Sequence, residues 1–382
     1  MYSKLVRFIR DWYQTQAFIP LHEPHFKELD RKYVLDAIDS TFVSSVGEYV
    51  DRFEQGLAQY LGAKYAVAVV NGTAALQVAL KLAGVGQNDE VITQGLTFVA
   101  TANAIVHNNA LPVFVDVNRD TLGLCPHALE KFLDQHAEKK ESGTFNKHTG
   151  RRIAALLPMH TFGHPCEMKL IMEIADHWNL SVVEDSAEAL GSKISGAHCA
   201  TFGALGVLSF NGNKTITCGG GGAIITNNKK LAEKAKHLTT TAKLAHKWAF
   251  VHDEIGYNYR LPNLNAALAC AQLAQLEGIL DDKRHLAHAY EAFFKESKLG
   301  HFVTEPAGCT SNYWLNTIIT LDQSHRDDFL EKTNELGIMT RPAWELIPDL
   351  HIYKGCQKDS QENARWLAQR IVNLPSSARA NG

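Results

Sequence analysis

The sequence predicts an α/β fold in which helices cover both faces of a mostly parallel sheet. Short apolar segments with the length of buried strands recur between residues 60 and 245, and helical segments with one apolar face separate them. Strands that alternate with helices form parallel sheets, because the helix carries the chain back to the edge where the next strand begins. We expect strands at residues 66–70, 90–93, 111–115, 153–158, 181–184, 207–210 and 223–226.

Three regions divide the 382 residues. Residues 1–60 contain short helical patterns and are expected to pack on the body of the protein. Residues 61–245 are expected to form a large three-layer α/β/α domain. Residues 246–382 are expected to form a smaller α+β domain, with a long helical pattern from Leu261 onward.

Local patterns add detail to this division. Helices are expected at residues 74–83, 168–178 and 326–336, and further strands at 314–321 and 338–342. Residues 138–152 are polar and charged, which predicts an exposed loop between a helix and a strand.

Composition narrows the class of partner. The formal net charge is −3 and 45% of the residues are hydrophobic, so nucleic acids and anionic membrane surfaces are not expected as main partners. The seven cysteines include no Cys-x-x-Cys pair, which is typical of a reduced compartment. The sequence shows no signal-peptide pattern and no apolar run of about 20 residues. A cytoplasmic protein that acts on small molecules is therefore expected.

The first candidate site residues follow the strand at residues 66–70. Asn71, Gly72, Thr73 and Ala74 precede a helix, and free amides at a helix N-terminus can hold a phosphate. The same residues could form an ordinary cap in which the Thr73 hydroxyl accepts the first amides. The residues alone leave both interpretations open.

Carboxylates follow the strand at residues 181–184. Asp185 and Glu188 lie where that buried strand ends, and a buried carboxylate needs a cationic partner or becomes protonated. A protonated ring nitrogen of a ligand would serve, and so would a lysine or arginine of the same loop.

Ser209 and Lys214 follow the next strand and precede four consecutive glycines, Gly219 to Gly222. Taken alone, Lys214 could be a surface charge. A phosphate site, a carboxylate and a lysine at neighbouring strand ends together match what pyridoxal phosphate requires: an anion site, a counter-charge for its ring nitrogen and an amine for a Schiff base.

The chain resembles the sugar-nucleotide aminotransferases of the DegT/StrS family, which have the aspartate aminotransferase-like fold (fold type I of pyridoxal phosphate enzymes). The resemblance covers nearly the whole chain. It lies in residues 46–54, 71–76, 97–101, 160–165, 184–185, 209–214, 256–260 and 374–375. Residues 18–24, 42–47 and 149–152 resemble the branch linked to legionaminic acid.

This resemblance implies roles for individual residues. Lys214 would bind pyridoxal phosphate covalently and move protons, and Asp185 would hold the ring nitrogen protonated. Phe98 would stack on the ring, and Glu188, which replaces a glutamine common in relatives, would contact its phenolate side. The cofactor-binding residues implied are Gly72, Thr73, Ala74, Phe98, Asp185, Glu188, Ser209, Lys214 and, from the neighbouring subunit of a homodimer with shared active sites, Asn258.

Four further residues are candidate substrate contacts: His160, Phe162, Arg341 and Trp344. His160 and His164 are four residues apart, as two metal ligands on a helix could be, but Gly163 and Pro165 predict a loop. We therefore expect no metal site. The glycines at 219–222 lack the Gly-x-Gly-x-x-Gly spacing of a dinucleotide-binding turn.

The expected reaction moves the amino group of L-glutamate to C4 of a 4-keto-6-deoxy sugar nucleotide. The expected substrate is UDP-2-acetamido-2,6-dideoxy-hexos-4-ulose, in bacterial surface-glycan biosynthesis of the legionaminic acid or bacillosamine type. Alternatives are amination at C3, deoxysugar dehydration and a binding module without catalysis. Dehydration is disfavoured because the resembling dehydratases have histidine in place of Lys214.

Overall fold

A computed structural model describes residues 2–379. Within that range the helices and strands alternate as an α/β fold requires. The helices are α1 (Tyr2–Tyr13), α2 (Glu28–Asp39), α3 (Glu48–Leu61), α4 (Gly72–Leu82), α5 (Val99–Val106), α6 (Pro126–His136), α7 (Met168–Trp178), α8 (Lys229–Thr239), α9 (Asn263–Ala274), α10 (Leu276–Lys295), α11 (Gln323–Glu335) and α12 (Glu362–Ala368). Short 3₁₀ turns lie at Thr161–Gly163, Ile347–Asp349 and His351–Tyr353.

The strands build one large sheet and two small ones. They are β1 (Tyr65–Val69), β2 (Glu90–Gln94), β3 (Leu111–Val115), β4 (Ala137–Lys140), β5 (Gly143–Asn146), β6 (Arg152–Leu157), β7 (Ser181–Asp185), β8 (Lys193–Ile194), β9 (Ala197–His198), β10 (Leu205–Ser209), β11 (Gly222–Thr226), β12 (His301–Phe302), β13 (Cys309–Thr310), β14 (Asn316–Ile319), β15 (Arg341–Pro342) and β16 (Ile371–Leu374).

The large sheet has the strand order β1-β11-β10-β7-β6-β2-β3. Strand β11 is antiparallel to both of its neighbours, whereas the pairs from β10 to β3 are parallel. All seven predicted strands are present, with boundaries shifted by at most two residues. The predicted mostly parallel sheet is therefore confirmed.

Alternate side chains of the strands face different helices, which explains their apolar composition. Val67 and Val69 pack in one core with α4 and α8, while Ala66 and Ala68 pack in another with α3 and α9. A third core joins the sheet to α6 and α7, with Trp178 among its members. Helices thus cover both faces of the sheet. The ends of its strands are the places where it can contact a ligand.

Residues 138–152 are more ordered than the sequence predicts. Strands β4 and β5 form a hairpin, and Thr144 and Phe145 of β5 pair with the first residues of β6. Thr144 and Asn146 are buried, and Arg152 forms an ion pair with Asp89. The expectation of an exposed loop is therefore wrong for this segment. Its charged side chains are interspersed with buried polar ones, and the polar composition alone does not distinguish the two.

The C-terminal part carries the antiparallel sheet β12-β14-β16-β15. Its core includes Leu5 and Ile9 of α1 together with Tyr290 of α10, so the N-terminal helix packs on C-terminal elements. The long helical pattern after Leu261 is two helices that meet at Gln275. The strand expected at 314–321 begins only at Asn316, which leaves Trp314 in a loop.

The expected division at residues 245 and 246 falls in the connection between α8 and α9. Helix α9, beyond that division, packs against α2, α3 and the large sheet. The division into 1–60, 61–245 and 246–382 stays a prediction.

Candidate active site

The carboxyl ends of β7 and β10 bring the predicted site residues together. These strands are parallel neighbours in which Val207 lies opposite Asp185, so Asp185 and Ser209 emerge at the same edge of the sheet. A cavity of about 310 Å³ opens there. Its lining residues include Asn71, Gly72, Thr73, Phe98, Thr101, Asp185, Glu188, Ser209, Asn213, Lys214, Trp314 and Trp344.

Lys214 enters this cavity from the loop that follows β10. Its amide donates a hydrogen bond to the Asn211 carbonyl, which closes a tight turn. The side chain is only 12% exposed, with Nζ 3.4 Å from Glu188 Oε1 and 4.1 Å from the centre of the Trp314 ring. Lys214 is therefore an amine held inside a cavity and not a surface charge.

Asp185 forms the floor of the cavity. Its Oδ2 accepts a hydrogen bond of 2.7 Å from the Thr101 hydroxyl, and its Oδ1 accepts one of 3.2 Å from the Ala187 amide. Burial raises the pKa of this carboxyl, while the two hydrogen bonds and nearby Lys214 act in the opposite direction. A cation that bound against Asp185 would favour the ionised form.

Glu188 lies one turn further along the same loop and is also buried. Its Oε2 accepts a hydrogen bond of 2.9 Å from the Phe162 amide, and its Oε1 faces Lys214. Burial raises the pKa of Glu188 to about 7, although Lys214 and the Phe162 amide partly offset that effect. Two buried carboxylates thus share one lysine, so one of them holds a proton readily near neutral pH.

The N-terminus of α4 forms the wall beside Ser209. Asn71 caps the helix, since its Oδ1 accepts a hydrogen bond of 2.8 Å from the Ala74 amide. The cap is Asn71 and not Thr73, and the prediction that Ala74 binds the cofactor is not supported because its amide is engaged and it lies outside the cavity lining. The amides of Gly72 and Thr73 have no earlier helical turn to bond.

A close approach explains the glycine at position 72. A Cβ atom there would lie 2.9 Å from Ser209 Cβ, closer than side chains tolerate. The helix N-terminus and the Ser209 hydroxyl can therefore approach one another only with glycine at this position. Two free amides, a hydroxyl and the helix dipole make an anion site.

The arrangement fits pyridoxal phosphate. The anion site suits the phosphate, Asp185 suits a protonated ring nitrogen, and Lys214 suits the carbonyl carbon. Phe98, which is 47% exposed, lies on the open side of the cavity where a ring could stack.

Aromatic side chains continue from the cavity into a second one of about 460 Å³. The Trp344 ring lies 6.1 Å from the Phe98 ring and 4.9 Å from the Phe162 ring. Arg341 is exposed at the rim, where its Nη1 donates to Asn334 Oδ1 and to the Thr340 carbonyl. Three of the four predicted substrate residues, Phe162, Arg341 and Trp344, therefore line this second cavity, which shares the lining residues Asn213, Trp314 and Trp344 with the first.

His160 does not join them. Its ring is buried, with Nε2 3.2 Å from Glu184 Oε2 and Nδ1 accepting a hydrogen bond from the Cys166 amide. Both ring nitrogens are engaged away from the cavity, so the prediction that His160 contacts substrate is not supported. It holds the 160–165 loop against β7 instead.

Asn258 also lies outside the cavity of its own chain. It is exposed, and its Oδ1 accepts a hydrogen bond from Arg260 Nε.

Among residues 2–379, one group of side chains could offer three ligand atoms to a metal ion: His237, Asp253 and Glu254. That group is outside the cavity and already forms ion pairs.

Several lining residues are not indicated by the sequence, and three of them, Thr101, Asn213 and Trp314, make polar or ring contacts in the cavity. Thr101 belongs to a recognised motif, but a threonine inside a helix gives no sign that it will bond Asp185. Asn213 precedes Lys214, and no pattern sets it apart from the rest of that loop. The sequence predicts Trp314 in a strand, but the strand begins only at Asn316, and the bend before it places Trp314 in the cavity.

Comparison with known proteins gives the family. The model of the DegT/DnrJ/EryC1/StrS aminotransferase family matches residues 24–381. The chain belongs to the DegT/DnrJ/EryC1/StrS aminotransferase family. It is 34% identical over 359 residues to a GDP-perosamine synthase of Escherichia coli O157:H7, covering 94% of this chain and 93% of the relative.

Two further comparisons agree with this membership. EpsN of Bacillus subtilis (strain 168), whose name assigns it provisionally to the pyridoxal phosphate-dependent aminotransferases, is 37% identical over 372 residues, with coverage of 94% and 91%. The solved structure of PseC, an aminotransferase of pseudoaminic acid biosynthesis from Helicobacter pylori, superposes with a TM-score of 0.85 at 25% identity, with 94% of each chain covered.

The family settles the class of protein. The chain is a pyridoxal phosphate-dependent sugar aminotransferase with the fold type I architecture, and a sugar nucleotide and an amino donor are its substrates. None of the helices within residues 2–379 is long and apolar enough to cross a bilayer.

Proposed function

We propose that this aminotransferase moves the amino group of L-glutamate to C4 of a 4-keto-6-deoxy sugar nucleotide, with Lys214 and Asp185 as catalytic residues. The observation that supports it is the convergence of Lys214, Asp185, Ser209 and the α4 N-terminus on one cavity. A binding module without catalysis would not need an amine and two carboxylates buried together.

Each residue has a task that its surroundings explain. Pyridoxal phosphate supplies, when bound, a ring that accepts the electrons of a carbanion. Asp185, oriented by Thr101, places negative charge where the ring nitrogen would lie. The amides of Gly72 and Thr73, with the Ser209 hydroxyl, hold the phosphate. Phe98 covers the open side of the cavity.

Lys214 moves the protons. In the first half-reaction Nζ accepts the proton from the carbon that carries the amino group of glutamate, and in the second it delivers a proton to C4 of the sugar. Glu188 Oε1 lies 3.4 Å from Nζ. It faces the lysine as a neutral carboxyl when protonated and as a negative charge when ionised.

The sugar nucleotide occupies the second cavity, which is lined by Phe162, Trp344 and Arg341. Flat aromatic faces suit a sugar ring, and an exposed guanidinium at the rim suits a diphosphate. We propose UDP-2-acetamido-2,6-dideoxy-hexos-4-ulose as the substrate, within surface-glycan biosynthesis of the legionaminic acid or bacillosamine type, in the cytoplasm.

A GDP-linked 4-keto sugar is the second candidate. Relatives from Escherichia coli O157:H7 and Vibrio cholerae, 34% and 35% identical to this chain, are GDP-perosamine synthases. Their names favour the same C4 chemistry on a different nucleotide.

The test has two steps. Purified protein with pyridoxal phosphate should show a visible absorbance band that glutamate removes and that Lys214→Ala lacks. UDP-, GDP- and dTDP-linked 4-keto sugars are then supplied with glutamate, and the products are identified by mass and NMR. A protein that stays colourless with added cofactor contradicts the proposed catalysis, and an amine at C3 contradicts the proposed regiochemistry.

We also propose a homodimer in which Asn258 reaches the phosphate site of the neighbouring subunit. Support comes from the segment just before it, where Trp248, Phe250 and Ile255 are each more than three-quarters exposed. Apolar side chains so exposed favour an interface.

Mixed dimers test this arrangement. Lys214→Ala and Asn258→Ala subunits, each inactive as homodimers, should regain activity when they are refolded together, because one of the two shared sites is then intact. Two inactive variants that stay inactive on mixing, or a monomer in sedimentation, would contradict it.

A further inference from the structure

A loop of the C-terminal part reaches the catalytic lysine. Ser311, Asn312, Tyr313 and Trp314 connect β13 to β14, and all four are at least 96% buried. Tyr313 has a φ of 45°, a left-handed conformation that is uncommon for a bulky residue. The 311–314 loop is thus held in an unfavourable backbone conformation inside the protein, which requires strong contacts around it.

Asn312 contacts the segments that follow β7 and β10. Its Nδ2 donates to the carbonyls of Glu188 and Leu190 at 2.9 and 2.8 Å and lies 3.2 Å from Thr215 Oγ1. Its Oδ1 accepts a hydrogen bond from the Trp314 amide. The Asn312 side chain therefore links the backbone at Glu188, and Thr215 next to Lys214, to the backbone of Trp314.

Trp314 lies directly against Lys214. The indole Nε1 donates a 2.7 Å hydrogen bond to the Asn213 carbonyl, and Lys214 Nζ lies 4.1 Å from the ring centre. An ammonium above an indole face is attracted by the ring quadrupole, and tryptophan is the best of the aromatic side chains for this. The ring thus fixes both the backbone before the lysine and the end of the lysine side chain.

Lys283 holds the 311–314 loop from behind. This lysine is fully buried, and its Nζ contacts the Trp314 carbonyl at 3.2 Å, His22 Nε2 at 3.1 Å and the Ser376 carbonyl. Burial lowers the pKa of Lys283 to about 7. A lysine is costly to bury, and three acceptors from three distant segments offset that cost at this one position.

We propose that Trp314 is a positioning residue for Lys214, and that Asn312 and Lys283 hold the indole in place. A residue that only filled space could be any large apolar side chain. The observed ring supports the ammonium with its face and the Lys214 turn with its N–H, so its aromatic character should matter. The inference rests on the proposed role of Lys214 as the covalent attachment point.

The test measures how fast pyridoxal phosphate becomes attached to Lys214 in cofactor-free protein. Samples are reduced with borohydride at intervals, and the modified Lys214 peptide is quantified by mass spectrometry. Attachment uses the neutral amine and releases water, so the ring acts in this step by holding the Lys214 turn and side chain in place and not by stabilising the ammonium. We expect attachment to be about tenfold slower in Trp314→Leu, which loses the ring and its bond to the Asn213 carbonyl, and about threefold slower in Trp314→Phe, which keeps a ring face. Lys283→Met should slow attachment as well, with a smaller effect than Trp314→Leu.

Trp366→Leu is the matched control, since Trp366 also lies under a cation, Arg119 at 4.3 Å, but is not one of the residues that line the cavity. It should attach the cofactor at the wild-type rate. A wild-type rate in Trp314→Leu, or equal losses in the leucine and phenylalanine variants, would overturn the inference. If the leucine variant does not fold, a wild-type rate in Trp314→Phe overturns it. Wild-type protein that never modifies Lys214 would instead contradict the proposed function.

Discussion

The two walls of the cavity are built in different ways. The inner wall consists of residues at strand and helix ends, Asp185, Ser209 and Gly72, and its polar atoms are held by short hydrogen bonds or close packing. The outer wall includes Trp344, in a loop, and Arg341, in the two-residue strand β15; Trp344 is half-buried against the Phe162 ring at 4.9 Å, and Arg341 is exposed.

The difference between the two walls corresponds to two tasks, catalysis at the inner wall and substrate selection at the outer wall. Charges that stabilise a reacting group must be fixed in advance, and a parallel sheet provides fixed points at its carboxyl edge. Substrate selection depends on shape and on contacts that can vary without loss of the fold, and loops allow that variation. Substitutions in the inner wall should therefore alter catalysis or cofactor binding, and substitutions in the outer wall should alter the affinity for one substrate.

The largest expected effect comes from Asp185→Asn. Asparagine keeps the size and can keep the bond to Thr101, but it removes the negative charge. Turnover should fall by about two to three orders of magnitude, as it does when a preorganised electrostatic contact is lost. Steady-state kinetics with saturating cofactor measure this.

Asp116→Asn is the control for that variant. Asp116 is also a buried carboxylate after a strand and accepts hydrogen bonds from the amides of Val117, Asn363 and Ala364. It should lower stability and leave turnover per folded molecule unchanged. Equal losses of turnover in the two variants would show that burial, and not the site, explains the effect of Asp185.

Glu188→Gln should reveal a pH-dependent stability. The pKa of Glu188 is about 7 in the folded protein, above its ordinary value of 4.5, so the folded state binds more protons between these values. The stability that protonated Glu188 contributes to the wild-type protein is therefore lost as pH rises from about 4.5 to 7. A glutamine at this position does not titrate, so its contribution stays the same. The difference in the free energy of unfolding between the cofactor-free variant and cofactor-free wild type should therefore shift in favour of the variant by on the order of 2 to 3 kcal/mol between pH 5 and pH 8.

Thermal unfolding of cofactor-free protein at the two pH values measures this gain. Glu233→Gln, at an exposed glutamate paired with Lys229, should show no such change. A stability difference between Glu188→Gln and wild type that does not vary with pH would mean that Glu188 is ionised throughout.

The same division explains what could be predicted from the sequence. Asp185, Ser209 and Lys214 follow apolar strands, and neighbouring parallel strands bring such residues to one edge. The positions of two predicted residues depend on three-dimensional details that the sequence does not show. His160 is turned away by Glu184 and the Cys166 amide, and Ala74 is taken by the Asn71 cap, and no local pattern indicates either contact.

Long-range contacts account for the rest. Trp314 reaches Lys214 from 100 residues away, through a loop whose conformation depends on Asn312 and Lys283. An apolar segment that includes tryptophan is typical of a strand, and only tertiary contacts shorten it. The polar segment at 138–152 failed for the opposite reason, since its strands are stabilised by β6 and not by their own composition.

Gly72→Ala should affect the inner wall without changing a charge. The new Cβ would lie 2.9 Å from Ser209 Cβ, so the helix N-terminus and the serine must move apart and weaken the anion site. Affinity for pyridoxal phosphate should fall by about tenfold, the loss of roughly one hydrogen bond to a charged group. Gly278→Ala, which meets no atom within 4 Å, should bind the cofactor as wild type does, and equal affinities in all three proteins would exclude Gly72 from the phosphate site.

The smallest expected effect belongs to the outer wall, in Arg341→Ala. Two hydrogen bonds of Nη1 hold the guanidinium at the rim, where it is exposed and salt screens its charge. The KM for the sugar nucleotide should rise by about threefold at low salt and by less at high salt, as expected for one exposed ionic contact. The turnover number and the KM for glutamate should not change, because the inner wall is intact. Arg119→Ala, which loses an exposed arginine away from the cavity lining, should change neither KM. A lower turnover number in Arg341→Ala would break the separation between the two walls, since it would mean that a rim residue helps to align the reacting atoms.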